Sequence, residues 1–282
     1  MKKAWVTGAG GLIGNQLVQV AARYAPGWEV RGWRREELDL TDFAAVARAF
    51  SAEGPELVIH CAALSKSPAC QADPARAWRL NVEVTECLAE LAVGIPLIFF
   101  STDLVFDGRK GNYTEDEAPN PLSVYGETKV AAEAVVLRNS RHAVVRTSLN
   151  GGVSPTGDRG FNEEMRRMFR AGQVLNLFTD EFRSPMAAEV TARAVWELAG
   201  QGINGIYHVA GSERLSRWDI GRLVAARCPE LRPQLRAGSL KEYQGAPRAP
   251  DTTLNCAKAQ GRLSFPLPGL SEWLTANPAA AF

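Results

Sequence analysis

A glycine-rich loop close to the start of the sequence constrains the fold more than any other feature. The loop Gly8-Ala9-Gly10-Gly11-Leu12-Ile13-Gly14 follows a strand-like run at residues 3–7 and precedes a helical run at residues 15–24. Glycine lets the backbone approach a phosphate closely, and the start of a helix offers unpaired N–H groups and a positive dipole end. A strand, this glycine pattern and a helix together indicate a dinucleotide-binding unit. The residues that we predict to contact a nicotinamide dinucleotide here are Gly8, Gly11, Leu12, Ile13 and Gly14.

The remainder of the sequence alternates short apolar runs with amphipathic ones. Apolar runs of strand length are typical of a parallel sheet whose two faces are covered by helices. The clearest helical run is 75–93, where Trp78, Val82, Leu88 and Leu91 are spaced to share one face. We therefore predict an α/β fold with a doubly wound, Rossmann-like parallel sheet. The further strand-like runs are 28–33, 57–61, 97–101, 143–147, 174–178 and 205–209.

Two regions interrupt this alternation and predict a second structural unit. Residues 151–160 are rich in Gly, Ser, Pro and Asp, which indicates a loop. After about residue 211 the pattern changes to helices joined by proline-containing loops. We predict a nucleotide-binding domain and a smaller, mostly helical substrate-binding lobe over the mouth of the sheet. The predicted segments are 1–150 and about 173–211 for the domain, and about 151–172 and 212–282 for the lobe.

Charge and cysteine content narrow the range of partners and compartments. The 282 residues include 32 Lys and Arg against 31 Asp and Glu, a balance that gives no reason to expect a nucleic acid or an anionic membrane as partner. No apolar run approaches the roughly 20 residues that span a bilayer, and no secretory signal is recognisable. The five scattered cysteines form no Cys-x-x-Cys pair, and the three histidines lack the spacing of metal ligands. We expect a cytoplasmic protein with reduced thiols and no metal site.

The residues after the second strand bear on the choice of cofactor. About twenty residues beyond the glycine loop, a protein selective for NAD usually carries an acidic residue that binds the ribose 2′-hydroxyl. This sequence has Trp33-Arg34-Arg35 there, and a basic pair suits a 2′-phosphate. We therefore expect Arg34 and Arg35 to favour NADP(H) over NAD(H). A later end of the strand would instead bring Glu36 and Glu37 to the ribose, and that alternative stays open.

A tyrosine and a lysine four residues apart indicate acid–base chemistry. On a helix Tyr125 and Lys129 share a face. A tyrosine with its usual pKa of about 10 is a weak acid at neutral pH, and a neighbouring ammonium would lower that pKa. The fourth strand ends at Ser101-Thr102-Asp103, so a hydroxyl is expected at the carboxyl edge of the sheet, where ligands bind in such folds. The third strand ends at His60-Cys61-Ala62-Ala63, whose small residues would let a cofactor lie against the backbone.

Three groups of residues together resemble the extended short-chain dehydrogenase/reductase superfamily, and within it the dTDP-4-dehydrorhamnose reductase family. They are Gly8-x-x-Gly11-x-x-Gly14, Ser101-Thr102-Asp103-Leu104-Val105-Phe106-Asp107-Gly108 and Pro121-x-x-x-Tyr125-Gly126-x-x-Lys129-x-x-x-Glu133. Further matches extend the resemblance over nearly the whole chain. These are Arg146-Thr147-Ser148, Gly205-Ile206-Tyr207-His208, Ser216-Arg217-Trp218 and Arg248-Ala249-Pro250-Asp251-Thr252-Thr253-Leu254.

The resemblance implies a role for each matching position. Thr102, Tyr125 and Lys129 would form the catalytic triad, and Asn81 would support the geometry of the active-site helix. Asp39 and Leu40 would bracket the adenine. The residues implied to line the cofactor cleft are Cys61, Ala62, Ala63 and Leu64, together with Tyr125 and Lys129. Those expected on the substrate side are Asp103, Leu104, Asn150, Arg183 and Arg248, of which the two arginines match positions that meet a nucleotide diphosphate in related enzymes.

Three departures from the family pattern lie where substrate should bind. They are Leu104 in place of Tyr, Leu149-Asn150-Gly151-Gly152 in place of an aromatic-rich loop, and Asp180-Glu181-Phe182-Arg183-Ser184-Pro185-Met186 in place of Asp-Gln-x-Gly-x-Pro-Thr. The hypothesis is therefore NADPH-dependent reduction of a keto group on a nucleotide-linked sugar, with a proton from Tyr125. An epimerase or dehydratase that retains its NAD(P), and a non-catalytic NADP-binding regulatory subunit, remain alternatives. A homodimer built on a helix pair, common among relatives, is a further arrangement to test.

Overall fold

The central element of the protein is a six-stranded, wholly parallel sheet. In the computed structural model, which describes all 282 residues, its strands run in the order β2-β1-β3-β4-β5-β10. This confirms the expected doubly wound α/β fold. The strands are β1 Lys2–Thr7, β2 Trp28–Trp33, β3 Leu57–His60, β4 Leu97–Thr102, β5 Ala143–Thr147, β6 Asn150–Gly151, β7 Val174–Phe178, β8 Phe182–Arg183, β9 Met186–Ala187, β10 Gly205–His208, β11 Leu215–Ser216 and β12 Gln234–Gly238.

Helices cover both faces of this sheet because side chains alternate along each strand. On β1, Ala4 and Val6 enter one apolar core with α1 and α8, whereas Trp5 enters a second core with α2, α5 and α6. All three side chains are fully buried. The helices are α1 Leu12–Tyr24, α2 Phe43–Glu53, α3 Ser67–Ala72, α4 Pro74–Trp78, α5 Val84–Leu91, α6 Val124–Val136, α7 Phe161–Arg170, α8 Ala188–Gly200, α9 Arg217–Ala226, α10 Ala257–Gln260 and α11 Leu270–Ala276.

Strand order places a crevice between β1 and β3. The chain leaves β1 towards β2 on one side and then returns to add β3 and β4 on the other. The two connections diverge from this point, so a gap opens above the carboxyl ends of the two strands, where ligands of such folds bind. The glycine loop and the residues after β3 border this gap.

The predicted single helix over 75–93 is interrupted. A π-helical turn at Arg79–Glu83 separates α4 from α5. The wider turn shifts the phase of the helix, so Trp78 does not share the buried face of Val82 and Leu88. Its side chain is 47% exposed. The expected apolar face is therefore wrong at Trp78 and correct at Val82 and Leu88, which are buried.

One strand that the pattern placed in the nucleotide-binding domain pairs outside the central sheet. Strand β7 pairs in parallel with β12 and not with the central sheet. Its side chains alternate between exposed and buried, with Leu175 and Leu177 packed against α7 and α9. A strand covered on one face suits a two-stranded sheet at the surface, which is the physical reason why residues 174–178 do not enter the central sheet.

None of the helices is long and apolar enough to span a membrane.

Candidate active site

The hydroxyl of Thr102 lies at the carboxyl edge of the sheet, where β4 ends. It caps the 3-10 turn Asp103–Val105 by accepting a hydrogen bond from the Leu104 N–H at 3.2 Å and donates to Asp103 Oδ1 at 3.1 Å. Helix α6 approaches this turn closely because residue 126 is glycine. A Cβ at Gly126 would lie 2.5 Å from the Leu104 carbonyl oxygen. Gly126 therefore lets α6 bring its side chains to Thr102, a role that sequence reasoning did not assign.

Tyr125 and Lys129 lie one turn apart on α6 and are both buried, with 9% and 2% of their surface exposed. Burial raises the pKa of Tyr125 well above its ordinary value, Asp103 adds to the rise, and the nearby Thr102 hydroxyl acts in the opposite direction. The expected lowering of the tyrosine pKa is therefore wrong. Its physical reason is that removal from water disfavours the phenolate. Tyr125 is a protonated phenol, which is the form that can donate a proton.

The ammonium of Lys129 lies over the ring of Phe99, 3.9 Å from its centroid. Burial lowers the pKa of Lys129 to about 7, and the Glu133 carboxylate opposes this change. Lys129 is therefore charged below about pH 7 and loses its proton above it. A lysine with a pKa near 7 can exchange a proton with a phenol or a sugar hydroxyl in the same site.

Asn81 sits in the π-helical turn and joins three segments of the site. Its amide donates to the Leu64 carbonyl at 3.1 Å and to the Thr128 hydroxyl at 3.0 Å, and its Oδ1 accepts from the Leu64 N–H at 2.8 Å. The side chain thus fixes the segment after β3 to the helix that carries Tyr125 and Lys129. The role of Asn81 in supporting the active-site helix stays a prediction, with these contacts in its favour, and π turns of this kind recur at functional sites.

The glycine loop forms a backbone cradle beside the end of β3. Gly8 has a φ of +71°, and a Cβ there would lie 2.7 Å from the Ala62 backbone nitrogen. A Cβ at Gly14 would collide with the Gly8 carbonyl oxygen. Gly11 caps α1 without a side-chain partner, so the first N–H groups of the helix stay free. The cradle that a side chain would fill, and the free N–H groups, fit a dinucleotide pyrophosphate.

The segment after β3 is the second wall of this cleft. Burial raises the pKa of the Cys61 thiol, so this cysteine is neutral. Ala62 is half-buried and Ala63 is exposed. Leu64, also half-buried, packs against a small core that includes Tyr125. The structure therefore brings Cys61 and Ala62 against Gly8, and Leu64 against Tyr125.

Substitution at Gly8 tests the cradle. We expect Gly8→Ala to lower the free energy of unfolding by about 1–3 kcal/mol, because alanine is strained at this φ and meets Ala62. It should also weaken dinucleotide binding in calorimetric titration. Gly10→Ala is the matched control, since nothing lies within 4 Å of a Cβ there. Its unfolding free energy should stay within about 0.5 kcal/mol of the parent protein. Equal destabilisation by the two changes would contradict the cradle.

The outer end of the cleft lies beside β2. The last residue of this strand is tied to the glycine loop by a hydrogen bond from the Ala9 N–H to the Trp33 carbonyl at 3.0 Å. The Glu37 carboxylate accepts from the Arg34 N–H at 3.0 Å and lies 3.5 Å from Arg31. Sequence reasoning missed Arg31, whose guanidinium stacks on the Trp33 ring at 4.4 Å. The residues that line this end are Ala9, Asn15, Val18, Val30, Arg31, Gly32, Arg34 and Glu37.

Three other residues predicted near the cofactor lie outside that lining. Arg35 is exposed. The Asp39 carboxylate accepts two hydrogen bonds from Thr41, and the backbone bond is the main reason why the pKa of Asp39 is below its usual value. Leu40 packs against the core beneath α2. The structure therefore brings Arg34 to the cleft but not Arg35.

Two residues predicted on the substrate side make hydrogen bonds to other parts of the protein. Arg183 is 5% exposed and donates to Glu181 Oε1 at 2.8 Å and to the Ala249 carbonyl at 3.0 Å. Asn150 donates to Thr147 Oγ1 and accepts from Thr191 Oγ1, at 3.0 Å and 2.5 Å. Their polar atoms hold neighbouring segments together. Direct substrate contact by Arg183 and Asn150 stays a prediction.

Asp103, Leu104 and Arg248 are the other three residues predicted on the substrate side. Asp103 is 4% exposed and its Oδ2 accepts from Ser148 at 2.7 Å and Thr252 at 2.9 Å. Leu104 is half-buried beside Tyr125. The Arg248 side chain is 36% exposed and contacts both oxygens of Glu181 at 2.8 Å. Arg248 is thus the predicted arginine that still faces solvent.

A doubly wound sheet with a glycine cradle at its switch point, and a threonine, a tyrosine and a lysine at its carboxyl edge, defines an enzyme of the extended short-chain dehydrogenase/reductase class. Within that class, the chain belongs to the family described as the RmlD substrate binding domain, whose model matches residues 1–277.

Relatives and solved structures agree with this assignment. The chain is 30% identical over 275 residues to the methionine adenosyltransferase 2 subunit beta of Xenopus laevis, covering 92% of this chain and 82% of that protein. It is 29% identical over 282 residues to a dTDP-4-dehydrorhamnose reductase of Sinorhizobium fredii, with coverage of 95% and 93%. The fold matches a dTDP-4-dehydrorhamnose reductase from Bacillus anthracis in complex with NADP, with a TM-score of 0.88, 24% identity and 98% coverage of both chains.

Proposed function

We propose that this protein reduces a keto group on a nucleotide-linked sugar, using NADPH. The observation that carries the proposal is the position of Thr102, Tyr125 and Lys129 at the carboxyl edge of the sheet, next to the segment after β3 that borders the glycine cradle. A carbonyl held there would meet two hydroxyl donors from one side. The family relationship to a dTDP-4-dehydrorhamnose reductase supports a nucleotide sugar as the substrate class.

Each residue of the triad has a role that follows from its surroundings. Tyr125, kept protonated by burial, donates a proton to the carbonyl oxygen as negative charge develops there. Thr102 donates a hydrogen bond to the same oxygen and stabilises the transition state more than the ground state. Lys129 supplies a positive charge next to the phenolate left behind and a donor for a ribose hydroxyl. The nicotinamide, when bound, supplies the hydride.

The proposal is tested by turnover with a panel of nucleotide-linked keto-sugars. We expect NADPH to be consumed in a one-to-one ratio with at least one of them. Interconversion of a substrate without net cofactor consumption would show an epimerase or dehydratase instead, and a cofactor that co-purifies without exchange would accompany it.

A second candidate function rests on the likeness to a methionine adenosyltransferase subunit. In this alternative the chain binds NADP as a regulatory subunit of another protein. The buried Tyr125 and Lys129, placed beside Thr102, favour the enzyme, because a purely regulatory subunit has no need of a poised acid. Binding of NADPH without turnover on the whole panel would favour the subunit.

The preference for NADPH is proposed from the basic outer end of the cleft. Removal of the Arg34 guanidinium in Arg34→Ala should raise KM for NADPH about 10- to 100-fold, because a charge-assisted contact to the 2′-phosphate is lost. KM for NADH should change less than about threefold, since NADH lacks that phosphate. Steady-state kinetics with both cofactors checks the ratio. A parallel loss with both would assign Arg34 a structural role.

A further inference from the structure

Ser101, the residue before Thr102 on β4, has a buried hydroxyl without a hydrogen-bond partner. The residue is 4% exposed, and its Oγ forms no hydrogen bond within the protein. Four buried polar side-chain atoms of the protein lack a partner, and Ser101 Oγ is the one that lies on the strand of the catalytic threonine. Burial of a hydroxyl without a partner is costly, so such a group at a candidate active site calls for a functional explanation.

Strand geometry directs the Ser101 side chain to the face of the sheet that α6 covers. Alternate residues of a strand face the same side, so Ser101 shares its face with Leu97 and Phe99. These two side chains pack in the core beneath α5 and α6. On β5 the neighbour of Ser101 is Arg146, whose guanidinium reaches the Glu133 carboxylate on α6. The Ser101 hydroxyl therefore points towards the helix that carries Tyr125 and Lys129.

Along β4, Ser101 lies between the levels of the two catalytic side chains of α6. The Tyr125 phenol lies next to the Thr102 hydroxyl, at the end of the strand. The Lys129 ammonium lies over the ring of Phe99, 3.9 Å from its centroid. Ser101 is the residue between Phe99 and Thr102 that faces α6, which places its hydroxyl beneath the Lys129 side chain.

The Lys129 ammonium has three N–H donors to satisfy, but it forms no ion pair. Glu133 acts on it through its charge, whereas both oxygens of this carboxylate bind Arg146. The other titratable groups that act on Lys129 or share its site are His60 on β3, Cys61 after it, Cys70 on α3 and Tyr125 on α6. Burial lowers the pKa of His60 and raises those of the two thiols and the phenol, so all four are neutral at pH 7.

We propose that the Ser101 hydroxyl accepts a hydrogen bond from the Lys129 ammonium, and so keeps Lys129 charged and oriented towards the bound cofactor and Tyr125. Ser101 is thus a positioning residue, since it acts through Lys129. This inference rests on the proposed function, in which Lys129 supplies positive charge beside the tyrosine. The long lysine side chain can satisfy Ser101 and a ribose hydroxyl together, because one ammonium donates in three directions.

The test follows the protonation of Lys129 directly and needs no substrate. In protein labelled with 13C at lysine Cε, the resonance of Lys129 is identified by its loss in Lys129→Met, and its titration midpoint should lie near pH 7. We expect Ser101→Ala to lower this midpoint by about one pH unit, because an acceptor for the charged form is lost. The urea concentration at half-unfolding should hardly change, since the deleted hydroxyl has no partner in the fold.

Ser216→Ala is the control, because Ser216 is buried to the same degree, at 3% exposed, but has a structural partner. Its hydroxyl caps α9 by accepting a hydrogen bond from the Asp219 N–H at 3.0 Å. The opposite result is expected there: easier unfolding in urea and an unchanged Lys129 midpoint. Ser101→Thr should keep most of the parent midpoint because it retains the hydroxyl. Ser101→Cys should behave like Ser101→Ala, since sulfur is a weak acceptor.

Kinetics separates this inference from the proposed function. With a nucleotide keto-sugar that is turned over, the pH at which kcat falls by half should move down by about one unit in Ser101→Ala, with substrate KM changed less than about threefold. Turnover with an unmoved Lys129 midpoint would overturn the role of Ser101 and leave the reductase proposal intact. A moved midpoint without turnover of any keto-sugar would support the contact and overturn the reductase. Equal midpoint changes in Ser101→Ala and Ser216→Ala would show general loosening and contradict a specific contact.

Discussion

Replacement of Tyr125 by phenylalanine is expected to lower kcat by about 10²- to 10⁴-fold, the usual contribution of a positioned general acid. The buried phenol is the group in the site that is held protonated and lies beside the Thr102 hydroxyl. Phe keeps the ring and its packing against Leu64 and Leu104, so the cofactor cleft should retain its shape. Dinucleotide affinity, measured by titration, should therefore change little while turnover is lost.

Tyr24→Phe provides the matched control for this loss. It removes one phenolic hydroxyl from the last residue of α1, at the opposite end of that helix from the glycine loop. Its kcat should stay within about twofold of the parent enzyme. Near-normal NADPH oxidation by Tyr125→Phe with a genuine substrate would remove Tyr125 from the mechanism and require another proton donor.

Loss of one partner of the buried Glu133–Arg146 pair is expected to be the most destabilising single change. The two side chains are 4% and 1% exposed, and two contacts of 3.0 Å and 2.7 Å join them. Arg146→Met leaves the Glu133 carboxylate buried without a hydrogen-bond partner, which should lower the free energy of unfolding by roughly 3–5 kcal/mol. Urea denaturation followed by circular dichroism measures this difference.

The double variant Glu133→Leu with Arg146→Met should recover much of that stability, since it removes both charges together. The exposed pair Arg138 and Glu86, 3.7 Å apart with side chains 72% and 46% exposed, is the control. Arg138→Met should cost at most about 1 kcal/mol. An equally small effect of Arg146→Met would mean that water reaches Glu133 after the substitution.

Local patterns were sufficient for much of the cofactor site. Gly14 has no room for a side chain because it meets the backbone of Gly8, within the same loop. Gly8 has none because it meets the backbone of Ala62, which follows the neighbouring strand β3. Tyr125 and Lys129 share a helical face by spacing alone. The Trp33-Arg34-Arg35 stretch located the outer end of the cleft, although Arg31 replaced Arg35 in its lining.

Protonation states and helix irregularities could not be predicted in the same way. The sequence led to a lowered pKa for Tyr125, whereas burial of both Tyr125 and Lys129 moves each towards its neutral form. The π turn at Arg79–Glu83 also escaped prediction. Both effects depend on how tightly α5 and α6 pack against the sheet, and periodicity contains no information on that packing.

The sequence by itself determined the order of strands and helices, the glycine loop between β1 and α1, and the shared helical face of Tyr125 and Lys129, because each of these depends on residues close together in the chain. Only the tertiary structure decided that β7 pairs with β12 and that Glu181 faces Arg217 across the β8–β11 ladder. It also decided which arginines pair with carboxylates, as Arg183 and Arg248 do with Glu181. Charge compensation depends on distances between segments far apart in the chain, so arginines that look equivalent in sequence become chemically distinct only once the chain is folded.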